Sequence, residues 1–400
     1  MSQKLSVKNQ GRLSLTSIVS FLFFFNIISI VYIQSSAFTL FQYAVLAIVI
    51  VYCAKYVVDV FRNDWKTMFS IIAVVGGIVI SSYVNHVDNY NMRGTVYYIL
   101  LIVAVFIFLA ALGIKGKLGH FLRAGRVFLF FVLIVNDILM LVAPNKFYNV
   151  DGLEIGTFIL GNKFNVAYAH LMLFFFSLLL EKDLKIRRKK AFIYAVILSA
   201  VCIYVDCNTV MLSVWLFILF YFFSPSIKKV LSKPSVFFVG FFISAFLLIG
   251  FSDILSFSPI QSFIVNVLHR DADLTGRLNV YPYVLELFER SKWFGYGYGN
   301  QIVKDESIWY ANAQNGFWGF VINYGIITMF FLIVLLWIVI SKNKFAIHNN
   351  KYPDGIWICN VVLYVFLFVG IVEISFGIQF LFYIALLNAM NYQIKHIRHT

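Results

Sequence analysis

Apolar runs of about twenty residues follow one another along almost the whole chain, each the length an α-helix needs to cross a bilayer. With 61% hydrophobic and only 12% charged residues among 400, the sequence is too apolar to stay soluble at this size. A membrane barrel would instead need ten-residue segments of strict alternation. The expected fold class is therefore all-α, a polytopic transmembrane helical bundle forming one integral membrane domain over 1–400. About twelve spans are predicted, near 14–34, 37–58, 67–84, 95–113, 122–142, 157–180, 191–207, 208–223, 235–251, 314–340, 356–372 and 374–392.

The formal charge of +14 would suit nucleic acid, but its distribution argues otherwise. If both termini lie inside, the basic residues gather on the inner connections, from Lys4, Lys8 and Arg12 to Lys342, Lys344 and Lys351. That is the positive-inside pattern. The run from Lys182 to Lys190 then reads as a topology anchor against anionic lipid, and no nucleic-acid partner is expected. Nearly all carboxylates fall outside. Chemistry on that face has no ATP, so its energy must arrive inside an activated substrate. The first apolar run lacks a small-residue cleavage site and reads as an uncleaved span.

Two outer connections are long, 143–163 and 252–313. Loops of that length are functional or disordered, and the aromatic content of the second argues against disorder. Within it Thr275 is placed to cap a short helix whose apolar face would hold Leu278, Tyr281, Val284, Leu285 and Phe288. Pro282 should kink or restart that helix. An amphipathic helix of this kind lies at a membrane interface. Gly295, Gly297 and Gly299 follow at alternate positions, where the backbone can double back.

Arg277 and Arg270 are the leading candidates for chemistry. A guanidinium can hold a diphosphate through paired hydrogen bonds and stabilise charge on a leaving group. Alternatively both pair with Asp271, Asp273 or Glu286 on a solvated loop. Lys163 is either an outer cation near phosphate or a snorkelling lysine. His170 lies inside a span, where an ionisable group suggests function, or else a neutral ring bonded to the next helix. A general base could come from Asp206, Asp253, Glu286, Asp305, Glu306 or Glu373. Glu373, in a tight turn between apolar spans, is the candidate most open to burial. Trp293, Tyr296, Tyr298, Trp309, Tyr310, Phe317 and Trp318 read as an interfacial belt whose faces could also stack on a ligand's rings. The four cysteines have no metal-ligand spacing and read as packing residues. No metal and no cofactor is expected.

These pieces resemble the signature loop of the bacterial O-antigen ligase and polymerase superfamily. The likeness runs from Gly276-Arg277, through the helix of Val280 to Phe288, to Trp293-Phe294-Gly295-Tyr296-Gly297-Tyr298-Gly299. It continues in Ala313-Gln314-Asn315-Gly316-Phe317 and Asn323-Tyr324-Gly325-Ile326-Ile327. Ligases of the family have a histidine where this chain has Gln314. Gly161-Asn162-Lys163-Phe164-Asn165-Val166-Ala167-Tyr168-Ala169-His170 and Asp206-Cys207-Asn208-Thr209 resemble segments of capsular polymerases.

The resemblance implies a Wzy-type polymerase in the bacterial cytoplasmic membrane. It would join polyprenyl diphosphate-linked oligosaccharide repeat units into capsular or other surface polysaccharide at the outer face. Membrane lipids, flippases and chain-length regulators are the partners it implies. Catalytic roles fall on Arg277, Arg270, Gln314 and Glu373. Substrate binding falls on Asn162, Lys163, His170, Asn315, Gly295, Gly297 and Gly299. Two rivals remain: ligase-type transfer of finished glycan, disfavoured by Gln314, and a flippase or transporter. A transporter would line a cavity within its spans with charge.

Overall fold

Side-chain caps mark where the apolar runs turn into helices. Ser14, Ser35, Asn162, Asp183 and Asn315 each accept a backbone N–H two or three residues ahead, satisfying groups that a helix start leaves open. The computed structural model describes residues 14–28, 30, 35–84, 92–142, 158–250, 262, 266, 277–307, 310, 312–343 and 354–399. Arg270 and Thr275 lie outside them, and of Arg277 only the backbone is described.

In chain order the helices are α1 (Leu15–Ile27), α2 (Ser36–Ala54), α3 (Val57–Val84), α4 (Met92–Ile114), α5 (Leu118–Val142), α6 (Lys163–Leu180), α7 (Leu184–Tyr204), α8 (Asn208–Tyr221), α9 (Pro225–Leu231) and α10 (Pro234–Gly250). After these come α11 (Tyr281–Arg290), α12 (Ile302–Ser307), α13 (Gly316–Ser341), α14 (Asp354–Val369) and α15 (Ile378–His399). Among the described residues there is no strand, only an isolated bridge between Phe158 and Gly161.

Among the described residues six helices, α2 to α6 and α13, are long and apolar enough to cross a membrane. The bent pair α8 and α9, at 120°, would make a seventh. This is fewer than the twelve spans expected. The basic start of α7 and the shortness of α1, α10 and α14 keep those helices out of the set. Exposed apolar side chains crowd α2, α3 and α5, including Leu40, Val51, Phe69, Ile72, Phe131 and Leu141, the surface that lipid would cover.

α15 packs along α4, α13 along α3, and α5 against both α1 and α6. α3 begins ten residues before the predicted span. Its first turns expose Val58, Phe61 and Trp65, and it breaks from helical geometry at Asp64 (φ −150°, ψ 48°). That break puts the Asp64 carboxylate 2.6 Å from Lys342 Nζ, which also donates to Thr67 Oγ1 at 2.8 Å and Asn388 Oδ1 at 2.7 Å. One end of α13 is thereby tied to α3 and α15. The other end carries the candidate site.

α11 departs from its expected register. Residues Arg277–Val280 form a 3-10 turn, and the α-helix restarts with Pro282 in its first turn. The 3-10 turn winds faster than the α-helix, which rotates the face. Val280, Tyr281, Val284 and Leu287 are buried and pack with Trp318 and Ile322, while Leu285 is exposed. The helix therefore lays its apolar side on α13.

Candidate functional site

The residues named from sequence fall into two groups at the same end of α13. The first is the glycine turn. Gly295, Gly297 and Gly299 have φ of 68°, 86° and 74°, as does Gly325 at 75°, where α13 is broken. The turn plugs that break. Tyr296 N donates to Ile322 O at 2.9 Å, Gly297 N to Asn323 O at 2.7 Å, and Ile326 N to Lys292 O at 2.9 Å. Ser81 Oγ donates to Asn323 O at 2.7 Å and accepts from Gly297 N at 3.1 Å. The broken helix thus recovers its backbone partners from the loop and from α3, as a membrane interior demands. A Cβ on Gly295 would lie 2.6 Å from the Asn323 backbone, and one on Gly297 2.8 Å from Ser82 Cα. Beside Gly299 the space is open. Packing accounts for the first two glycines.

The second group surrounds the turn between α14 and α15. Asn315, fully buried, accepts from Trp318 N at 3.1 Å and donates to Ser244 O at 3.0 Å and Ile371 O at 3.1 Å. Both amide hydrogens are committed, so it acts as a strut and has none left for a sugar. Gly316 N donates to Gly370 O at 2.8 Å, a second tie to the same turn. Gln314 is half-buried with φ 50°, and its backbone and side-chain N–H both reach Asn312 Oδ1, at 2.9 and 3.0 Å. Asp206, with φ 52°, is the other non-glycine in the left-handed region among the described residues. Such conformations cost energy and concentrate at functional sites.

Glu373 sits in that turn at 7% exposure, its N–H bonded to Val369 O. Its carboxylate is near enough for its charge to act on the Tyr168 hydroxyl of α6 and on Cys207. Lys163 Nζ is 3.3 Å from Asp206 Oδ2 and reaches the Phe164 ring. Asn162 caps α6 through its Oδ1, at 3.1 Å from both Phe164 N and Asn165 N. The tops of α6 and α8, the start of α13 and the turn after α14 thus meet around one buried carboxylate.

His170 is set apart, on another face of α6. Its Nδ1 donates to Val166 O at 2.9 Å and its Nε2 lies 3.1 Å from Asp137 Oδ2 on α5. Sequence reasoning missed Asp137, a lone carboxylate in an apolar run. In the loop, Arg290 pairs with Glu286 at 2.5 Å and Glu306 at 2.9 Å, which removes both from the pool of free bases. Among the described residues no cluster of His, Cys, Asp and Glu could hold a metal ion.

The glycine turn plugging the break in α13 falls inside a family match. A family model for Wzy_C, O-antigen ligase, matches residues 193–333. Over this stretch, about a third of the chain, the protein is similar to the O-antigen ligase family. The match runs from α7 into α13 and takes in Arg270, Arg277, the glycine turn, Gln314 and Asn315; Lys163, His170 and Glu373 lie outside it. No curated protein matches the chain. Members of the family are membrane glycosyltransferase-like enzymes that act on lipid-linked sugars in polysaccharide assembly.

Proposed function

We propose that the chain polymerises polyprenyl diphosphate-linked oligosaccharide repeat units into capsular or related surface polysaccharide, at the outer face of the bacterial cytoplasmic membrane. The family match over 193–333, with Gln314 where ligases have histidine, carries this reading. Both termini face the cytoplasm, and the shorter apolar helices complete a bundle of about twelve spans. Flippase and chain-length regulator proteins supply units and set the length.

In the proposed reaction a hydroxyl of the incoming unit attacks the anomeric carbon of the growing glycan. The new C–O bond forms as the bond to the diphosphate oxygen breaks. Arg277 and Arg270 stabilise the departing polyprenyl diphosphate. Glu373 takes the proton of the attacking hydroxyl, and Gln314 orients the sugar with the amide hydrogen and carbonyl that Asn312 does not use. With so good a leaving group, positioning contributes most of the rate.

The likeness to the O-antigen ligase family favours a second reading, ligase-type transfer of finished glycan to an acceptor. Both are tested by replacing the native chain with Arg277→Ala in cells and reading the length and sidedness of lipid-linked glycan. Single repeat units stranded on the outer face support the polymerase. Full-length lipid-linked polymer awaiting transfer identifies a ligase, and units held on the cytoplasmic face would identify a flippase.

A further inference from the structure

Tyr168 carries a buried hydroxyl that none of the described residues bonds. Its ring is half-buried and stacks on Phe366, with centroids 5.9 Å apart and planes at 18°. Its oxygen is closed to solvent and has no hydrogen-bond partner among the described residues. Leaving a hydroxyl in that state costs stability, and phenylalanine would fill the same space without the cost. Across from it stands the buried Glu373.

We infer that Tyr168 and Glu373 together form the subsite for the attacking hydroxyl of the acceptor sugar. This rests on the glycosyl-transfer reading above. A sugar hydroxyl both donates and accepts. It would accept from Tyr168 O–H and donate to the Glu373 carboxylate, the direction its proton must travel. A phosphate offers only acceptors at neutral pH and would be repelled by Glu373, so the diphosphate belongs elsewhere. Because the hydroxyl is closed off in the free protein, the acceptor must part the 370–377 turn from α6 to reach it. That turn ends at Gly377, beside which there is open space.

Tyr168→Phe separates this role from a packing role, because the two move stability in opposite directions. The purified full-length variant and native protein would be compared by thermal unfolding in detergent, and the same variant would replace the native chain in cells. The expected result is a higher Tm together with about a tenfold loss of glycan longer than one repeat, the scale of one hydrogen bond lost at the transition state. A lower Tm would mean the hydroxyl has a structural partner, and the inference fails. A higher Tm with glycan length unchanged would overturn it too. If the native chain itself supports no lipid-linked glycan transfer, the functional reading fails instead, and the native control shows that directly.

Discussion

The side-chain amide of Asn315 donates to the carbonyl of Ile371 at 3.1 Å, which fixes the start of α13 two residues from Glu373. Through that bond the half of the site inside the family match is joined to the half outside it. Asn315 thereby ties the residue that follows Gln314 to the backbone two residues before Glu373.

Asn315→Ala removes this tie, the bond to Ser244 O and the cap of α13 at once. A lost cap costs about 1 kcal/mol, and the abandoned carbonyls add a similar amount. A destabilisation of about 2 kcal/mol is expected, read by thermal unfolding in detergent, with glycan transfer falling further than stability alone explains. A variant with native Tm would show that the cap is dispensable.

The three loop glycines should separate by position. Gly295→Ala sets a Cβ into the Asn323 backbone at 2.6 Å in addition to straining a positive φ, whereas Gly299→Ala meets open space and bears the φ strain alone. That strain is about 1 kcal/mol. Gly295→Ala is expected to unfold or lose expression, and Gly299→Ala to remain folded. Equal tolerance of both in a detergent-stability assay would refute the plug described for the α13 break.

Much of this was legible and some was not, for physical reasons. The apolar runs predict every long helix, since bilayer thickness dictates their length. Pro282 correctly marks a helix restart. The start of α3 was not legible, because Asp59 to Lys66 mixes charge with aromatics and reads as a loop. The face of α11 was legible at Tyr281, Val284 and Phe288, while Leu285 is exposed and Leu287 is buried in its place. Pairings between distant helices, such as Asp64 with Lys342 or Asp137 with His170, leave no local pattern to read. The glycine trio was visible, but its complement at Gly325 becomes clear only when the backbone bonds are traced.

At the opposite end of α6, Glu181 offers a pH test outside the spans. Its bond to Lys190, at 2.5 Å, holds its carboxyl below the ordinary range, helped by the N–H of Asp183. A depressed folded pKa contributes stability that is fully present above the unfolded value, about 4.3. That stability disappears as pH falls through the folded value. Glu181→Gln is therefore expected to lower Tm at pH 7 and to narrow its gap from the native protein as pH approaches 3. Parallel Tm curves for the two across that window would show that the bond is not formed in solution.

The last prediction concerns His170 and Asp137. With Nδ1 committed to Val166 O, the 3.1 Å contact from Nε2 to Asp137 Oδ2 requires one proton between them, supplied by either partner. An amide can supply it equally well, so Asp137→Asn should keep α5 joined to α6 and leave Tm close to native. Asp137→Ala strands Nε2 at a histidine only 8% exposed, and should cost about 1 kcal/mol, the scale of polar contacts between membrane helices. His170→Ala combined with Asp137→Ala should then cost less than the sum of the two single changes. If Asp137→Asn is instead as damaging as Asp137→Ala, an amide cannot replace the carboxylate in this contact. Thermal unfolding of the four variants in one detergent decides between these outcomes.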